Sequence, residues 1–254
     1  MYVNVRNLCE QRTQSLLYFR PMTEDLLANR LLAVLSPEMR GRLLRAGKLE
    51  AFDAYQVLYT AGRQITHVYF PLSGVISLMI KMTNSDDVEV TTVGNEGVVG
   101  VSVILGVMST TTHALGQIPG RALNVSAQII LTEMQGGDSP LSHLLRSYAE
   151  ATIVQLAQYT ACNKTHSNEQ RCARWLLTTH DRVEGDEFML TQEFLAEMLG
   201  VRRATVTMIA GNLQKAGVID YSRGRIRIVN RRGLESVACE CYDVVRRVMN
   251  RITA

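Results

Sequence analysis

The stretch from residue 191 to residue 229 constrains the fold of this chain more than any other segment. Apolar residues three and four positions apart predict a short helix over Gln192–Leu199, which Thr191 would cap, and a second helix from about residue 202 to 216. Gly200 lies where the chain must turn sharply between two crossing helices. The positions expected to face the core are Leu195, Ala196, Leu199, Val206, Ile209 and Leu213. This is the spacing of a helix-turn-helix.

A tight hairpin is predicted directly after the second helix. Gly217 is expected to end that helix, and the alternating segments 218–222 and 225–229 predict two strands joined by a turn at Arg223 and Gly224. The hairpin would make the helix-turn-helix a winged one. A small helical bundle without a ligand would also explain the apolar spacing, but it would not explain the charge of this segment.

Positive charge is concentrated in the same segment. Residues 190–232 contain eight Lys and Arg against three acidic residues, a net charge of +5. Residues 1–137 contain eleven of each sign, residues 138–189 are net −2, and the last 22 residues balance. Such a local field suits duplex DNA, because Lys and Arg displace the counterions condensed on phosphates. A membrane surface would attract it too, but the exposed apolar face of an interfacial helix is missing, so we expect double-stranded DNA and no membrane binding.

The first half of the chain has the pattern of a small antiparallel barrel or roll. At 254 residues and 46% hydrophobic content, the chain suffices for two modest domains. Short helices are expected over 31–47, around a Ser36-Pro37 start signal, and a further helix over 126–135 before Gly136 and Gly137. The short strands expected between them are 57–59, 68–70, 75–80, 88–93, 112–118 and 122–125, with a polar hairpin tip at 84–87.

A long helix is predicted between the two regions. Ser139 and Pro140 open it, and it runs to about Lys164. Its apolar stripe is wider than one neighbour would cover: Leu141, Leu144, Leu145, Tyr148, Thr152, Ile153, Leu156 and Tyr159. We expect it to pack on its own roll and on a second copy of itself, the alternative being a connector within one chain. A homodimer would set two recognition helices about 34 Å apart, at successive major grooves.

The five cysteines are odd in number and scattered, which argues against a disulfide framework. Cys239 and Cys241 would offer two thiolates to a metal, but a structural zinc needs about four ligands and no His or further Cys lies nearby in sequence. We therefore expect no metal and no cofactor. The first 20 residues, including Cys9, lack a signal-peptide hydrophobic region, and no run of eighteen apolar residues exists, so a cytoplasmic location is expected.

The order of these elements resembles the cyclic-AMP receptor and fumarate–nitrate regulator (Crp/Fnr) family of bacterial transcription factors. Segments 58–62 (LYTAG) and 68–75 (VYFPLSGV) look like the family's effector-domain strands and turn, and 190–213 looks like its helix-turn-helix. The resemblance, which covers about residues 31–233, implies an α+β fold: an antiparallel, cupin-like β-roll of the cyclic-nucleotide-binding type, a long dimerisation helix and a C-terminal winged helix-turn-helix.

The resemblance also implies a domain division and a mode of action. The expected division is an N-terminal lead (1–30), a β-roll sensor domain (31–137), a dimerisation helix (138–164), the winged helix-turn-helix (165–232) and a C-terminal helical tail (233–254). The implied function is a homodimeric regulator whose sensor domains respond to a small molecule or another signal and reorient the DNA-binding pair. RNA polymerase is the further partner expected for such a regulator.

The sensor domain departs from the family's cyclic-nucleotide cassette, a Gly-Glu pair that begins a short helix, followed by an Arg on the next strand. The corresponding stretch 97–102 reads GVVGVS, with Val101 in place of the ribose-binding Glu. No Lys or Arg occurs from residue 98 to 120, so cyclic-AMP sensing is not expected. Backbone N–H groups there would still suit an anion. The candidate effector-pocket residues are Gly97, Gly100, Val101, Ser102 and Arg121. The cysteines do not fit the family's iron–sulfur pattern, and His67 or His113 as a haem ligand is the less favoured alternative.

The recognition helix departs from the family as well. Arg203 matches the position whose Arg grips a guanine edge, and Arg202 and Thr205 match positions that contact phosphate. Ala204 stands where a Glu is common and Met208 where a basic residue is common, so apolar contact with thymine methyls is expected instead of the usual operator. The candidate DNA contacts are Thr191, Arg202, Arg203, Ala204, Thr205, Thr207, Met208, Asn212, Arg223 and Arg225.

Two other classes of function compete with a regulator. A β-roll adaptor that acts through protein partners would use the winged helix as an interaction module, but a basic second helix does not favour this. An enzyme is not expected, because the five histidines are dispersed and no nucleophile triad, phosphate loop or specific carboxylate pair occurs.

Overall fold

A computed structural model of the chain describes residues 25–83 and 87–254. Most of the expected N-terminal lead, including Cys9, and residues 84–86 of the expected hairpin tip lie outside the described residues. The helices are α1 (Arg30–Ala33), α2 (Pro37–Ala46), α3 (Val101–Ile104), α4 (Ala127–Gln135), α5 (Pro140–Thr165), α6 (Asn168–His180), α7 (Gln192–Leu199), α8 (Arg203–Lys215), α9 (Arg231–Val237) and α10 (Cys241–Ile252). The strands are β1 (Gly47–Phe52), β2 (Val57–Tyr59), β3 (His67–Pro71), β4 (Val75–Ile80), β5 (Val88–Val93), β6 (His113–Ile118), β7 (Gly120–Ser126), β8 (Glu187–Met189), β9 (Ile219–Ser222) and β10 (Arg225–Ile228).

The expected antiparallel roll is confirmed. Two sheets form it, with strand orders β1-β7-β3 and β2-β6-β4-β5, and every pairing in them is antiparallel. The two sheets enclose an apolar cluster, whose buried members are Phe52, Ile76, Val93, Val99, Ala114 and Ala122. These side chains fill the space that a barrel of this kind encloses.

Strand β1 is not among the strands that the sequence pattern predicted. It pairs with β7 from Gly47 opposite Val125 to Phe52 opposite Gly120. The strand lies at the edge of its sheet, and only Phe52 in it is fully buried. Its sequence therefore lacks the alternation that marks a half-buried strand.

The long helix α5 confirms the predicted helix and packs on one side only. Ser139 caps its N-terminus by accepting a hydrogen bond from the backbone N–H of Ser142 at 3.1 Å. Leu141, Leu145 and Tyr148 are buried against the roll, and helix α10 packs along the same helix. Ile153 and Leu156, by contrast, are 59% and 36% exposed. The face that the sequence assigned to a second neighbour is thus uncovered within one chain.

The C-terminal domain is a winged helix-turn-helix, and its helices have the predicted bounds. Val206, Ile209 and Leu213 of α8 are buried in one apolar cluster with residues of α6, α7 and the hairpin β9–β10. The wing also has a third strand that the sequence did not predict, since β8 pairs with β10. This strand is only three residues long, too short for a readable period.

The winged domain packs directly on the four-stranded sheet of the roll. Met79 of β4 shares the apolar cluster of the winged domain. The indole N–H of Trp175 donates to the Glu89 carboxylate at 2.9 Å, and the rings of Tyr55 and Phe194 meet edge to face with centroids 5.7 Å apart. The fold as a whole is α+β, as expected. Every helix in the described part of the chain is too short or too polar to cross a lipid bilayer.

Candidate nucleic-acid interface

The solvent face of α8 carries the residues that the sequence selected for DNA contact. Arg202 is the N-cap of this helix, with extended backbone angles, and Arg203 is its first residue. Arg202, Arg203, Ala204, Thr207, Met208 and Asn212 are exposed, and Thr205 is half-buried. The Met208 side chain is 61% exposed. No residue of α8 is acidic.

Two of the predicted contacts also have structural roles in the helix pair. The Thr191 hydroxyl caps α7 by accepting a hydrogen bond from the backbone N–H of Phe194 at 3.2 Å. The Thr207 hydroxyl lies 2.7 Å from the Gln192 amide oxygen, to which it donates. The second of these bonds joins the start of α7 to the exposed face of α8, so the two helices present one continuous surface.

The wing projects its arginines beside this surface. Arg223 and Gly224 have φ angles of 50° and 74°, the left-handed pair that a two-residue type I′ hairpin requires. The turn therefore sets the exposed Arg223 at the tip of the wing. A shallow groove runs between the wing and the start of α7, and Thr191, Arg203, Tyr221 and Arg223 are among its lining residues.

Several of the arginines are paired with acidic side chains. Arg203 contacts Glu193 at 2.8 Å and Arg225 contacts Glu187 at 3.1 Å, and all four side chains are about half exposed or more. Such surface pairs contribute little to stability and are easily exchanged for phosphate or base contacts. Arg202 and Arg223 form no ion pair with any other described residue.

The expected effector residues do not meet in one pocket. The segment 97–102 follows β5 and enters α3. Gly100 is the N-cap residue of α3, and its φ angle is 114°. A side chain at Gly97 would overlap the Tyr148 hydroxyl, so the backbone there is packed against α5. Arg121 lies elsewhere, because its guanidinium contacts Asp25 at 3.0 Å and lines a surface cleft with Leu72 and Ser73.

The two histidines weighed as haem ligands are occupied by polar contacts. The Nδ1 atom of His67 lies 3.0 Å from the Thr66 hydroxyl, on the surface of the roll. The Nε2 atom of His113 lies 2.9 Å from the Asp87 carboxylate. Each imidazole ring therefore already has a polar partner on the roll.

A buried ion pair and its hydrogen bonds connect the roll to the winged domain. Arg182, which follows α6, contacts both carboxylate oxygens of Glu96 at 3.0 and 2.6 Å, and it donates to the backbone oxygen of Thr92 at 3.1 Å. The side chains of Arg182 and Glu96 are only 6% and 10% exposed. Glu89 lies nearby, and burial raises the pKa of its carboxyl to about 7, although hydrogen bonds from Ser77 and Trp175 oppose the shift.

The fold gathers four further reactive side chains that the sequence left apart. Cys162 and His166 at the end of α5 lie beside Cys239 and Cys241 at the start of α10. Their four ligand atoms all lie within 4.8 Å of one another. The hydrogen bond from Cys239 lowers the pKa of the Cys162 thiol, whereas burial raises the pKa of the separate Cys172 thiol to about 12. The sequence predicts no metal here because no His or further Cys lies close to Cys239 and Cys241 along the chain. In the fold, however, Cys162 and His166 lie beside this pair.

Comparisons with known proteins agree with this architecture. Residues 170–237 match the Crp-like helix-turn-helix domain. A global nitrogen regulator from Synechocystis is 26% identical over 220 residues, which cover 82% of this chain and 96% of that protein. A transcriptional regulator of the CRP family from Thermus thermophilus has a similar structure, with a TM-score of 0.62 and 16% identity over 74% of this chain and 96% of that one. For FixK2 from Bradyrhizobium japonicum the TM-score is 0.58 and the identity 14%, over 76% and 98% of the two chains.

The winged helix-turn-helix, its basic surface and these relatives define the chain as a DNA-binding transcription regulator. More specifically, residues 170–237 match the Crp-like helix-turn-helix model, and the chain is similar over most of its length to regulators of the Crp/Fnr type. The alternative of a roll-based adaptor that acts only through protein partners finds no support among these relatives.

Proposed function

We propose that the protein binds an inverted-repeat DNA site as a homodimer, with α8 of each copy in the major groove. The observation that carries this proposal is the exposed face of α8, which presents Arg202, Arg203 and Met208 beside the arginine at the wing tip and has no acidic residue. A helix of this size and charge fits the major groove, and the wing then lies along the phosphate backbone.

Within this surface we assign reading and positioning to different residues. Arg203, Ala204, Thr207 and Met208 face the groove floor, with Arg203 on guanine and the apolar pair on thymine methyl groups. Arg202, Thr205, Arg223 and Arg225 contact phosphates, and Thr191 and Asn212 lie at the two ends of the contact. Arg203 would exchange Glu193 for DNA on binding.

The uncovered face of α5 supports the dimer. Ile153 and Leu156 are exposed one turn apart in the middle of this 26-residue helix, and α10 and the roll cover only its other side. Pairing this face with its own copy would bury both side chains and set two recognition helices about one DNA turn apart. We further propose that the chain is divided into an N-terminal lead, a sensor domain, a dimerisation helix, a winged helix-turn-helix and a helical tail, at residues 1–30, 31–137, 138–164, 165–232 and 233–254. We also propose that the protein acts in the cytoplasm and contacts RNA polymerase.

The first prediction separates base reading from phosphate contact. Arg203→Ala is expected to weaken binding to the selected site by about 1–3 kcal/mol and to relax one base position in each half-site. Arg223→Ala and Arg225→Ala, on the wing, should weaken binding to all sequences alike and lower the salt dependence by about one unit each. Binding-site selection with each variant, followed by anisotropy titrations at several salt concentrations, measures both effects.

Arg45→Ala serves as the matched control for these titrations, because it removes an exposed arginine of the roll. Its selected motif and salt dependence should equal those of the unmodified protein. If Arg203→Ala kept the selected motif while a wing variant changed it, α8 would not be the reading element.

The second prediction concerns the signal, which we propose is something other than cyclic AMP. Val101 replaces the ribose-binding acid, and Arg121 is held by Asp25 away from Gly97 and Gly100. Calorimetric titration with cyclic AMP is expected to detect no binding at micromolar concentrations, and operator affinity should not rise. Cyclic-AMP binding together with tighter operator retention would overturn the proposal.

A further inference from the structure

The cysteine–histidine cluster has the spacing of a tetrahedral metal site. The Sγ atoms of Cys162 and Cys239 are 3.5 Å apart, and Cys241 Sγ is 3.6 Å from His166 Nδ1. Ligands bound to one zinc ion at about 2.3 Å for sulfur and 2.0 Å for nitrogen are separated by about 3.8 Å (S to S) and about 3.5 Å (S to N). Two edges of the cluster therefore already have the lengths of a zinc tetrahedron.

The surroundings of the cluster are those of a buried, charged centre. Cys162, Cys239 and Cys241 are almost completely buried. The Nε2 atom of His166 lies 3.2 Å from the Glu240 carboxylate, so its Nδ1 atom is the one directed at the thiols. Gln158 donates to Cys241 Sγ at 3.0 Å. Metal-bound histidines and thiolates in proteins are oriented by outer partners of this kind.

A buried arginine supplies the counter-charge. Arg174 of α6 is 6% exposed, and its guanidinium lies 4.0 Å above the centre of the Tyr159 ring and interacts electrostatically with Cys162 and Cys239. Three thiolates and one Zn²⁺ carry a net charge of −1, which a neighbouring guanidinium neutralises.

We propose that Cys162, His166, Cys239 and Cys241 bind one structural Zn²⁺ ion, with Glu240 and Gln158 orienting the ligands. On binding, the thiols give up their protons to solvent and the ion accepts three thiolates and one imidazole nitrogen. The ion would fasten the start of α10 to the last turn of α5. That turn directly precedes the joint at which the chain passes into the winged domain.

Metal analysis of the full-length protein tests the site. The protein is purified under reducing conditions from zinc-supplemented medium, dialysed, and assayed by mass spectrometry for bound metals. About one zinc per chain is expected, and Cys162→Ser or Cys239→Ser should lose it. Cys172→Ala, in a buried cysteine outside the cluster, and Cys9→Ser are the matched controls and should keep it.

A second measurement remains decisive even if a serine variant folds poorly. Titrating the metal-free protein with Co²⁺ should give the intense visible bands of tetrahedral thiolate coordination, and His166→Cys should keep a metal while shifting these bands. Glu240→Ala should weaken zinc affinity about 10- to 100-fold without removing a ligand. No zinc in the purified protein together with no tetrahedral Co²⁺ spectrum would overturn the proposal. So would a Cys162–Cys239 disulfide in protein purified under reducing conditions, or retention of zinc by both serine variants.

Discussion

Arg182→Met is expected to lower the free energy of unfolding by about 3–5 kcal/mol, because it leaves the buried Glu96 without its counter-charge. Both oxygens of Glu96 contact the guanidinium, and the two side chains come from different domains. Arg182 also donates hydrogen bonds to the side-chain oxygen and the backbone oxygen of Thr92. Urea unfolding followed by far-ultraviolet circular dichroism measures the loss.

Two further variants show whether the loss comes from the orphaned charge. Arg182→Met combined with Glu96→Gln should recover most of it, since no buried charge then remains unpaired. Arg246→Met, which breaks the exposed pair with Asp243, should cost only about 0–1 kcal/mol. Equal losses for Arg182→Met and Arg246→Met would show that the interdomain pair is not formed in solution.

Ile153→Glu combined with Leu156→Glu is expected to convert the protein to a monomer and to weaken binding to the inverted repeat by about 100-fold or more. Both side chains are exposed on one face of α5, so the substitutions should not disturb the fold of one chain. Between two copies, however, they would place like charges against each other in an otherwise apolar interface. Sedimentation measures the oligomeric state. Anisotropy titrations measure the affinity for DNA that carries the complete inverted repeat or one half-site of it.

The matched control for the dimer is Ser147→Glu. This exposed serine lies about 120° around the helix from Ile153, away from the proposed interface. The control should remain a dimer with full affinity, and half-site binding should be similar in all variants. A double variant that stayed dimeric and kept its affinity for the full site would rule out α5 as the dimer interface.

Local spacing was enough to predict the elements of the winged domain. The bounds of α7 and α8 follow from apolar periodicity, from the Thr191 cap and from Gly200 and Gly217, all of which act within a few residues. For the same reason the long helix α5 and most strands of the roll could be predicted. Strands β1 and β8 could not, because one is an exposed edge and the other is three residues long.

The side-chain clusters that sequence reasoning missed depend on contacts between distant residues. The proposed zinc ligands Cys162 and Cys239 are separated by 77 positions, and Arg182 lies 86 positions from Glu96. No local pattern links these residues, and only the packing of α10 on α5, or of the winged domain on the roll, brings the partners together. A useful signal was the Cys-x-Cys pair at 239–241, whose missing ligands could have been sought among distant cysteines and histidines.

The residues of helix α8 fall into two sets, which differ in how much a substitution changes the stability of the protein. Val206, Ile209 and Leu213 are fixed by the core, where substitutions to smaller residues cost about 2–5 kcal/mol. Ala204 and Met208 point outward, where most substitutions change stability by less than about 0.5 kcal/mol. Under the proposed base reading, a lineage carrying this fold could therefore exchange one set of target genes for another by single substitutions, each of which leaves a folded protein.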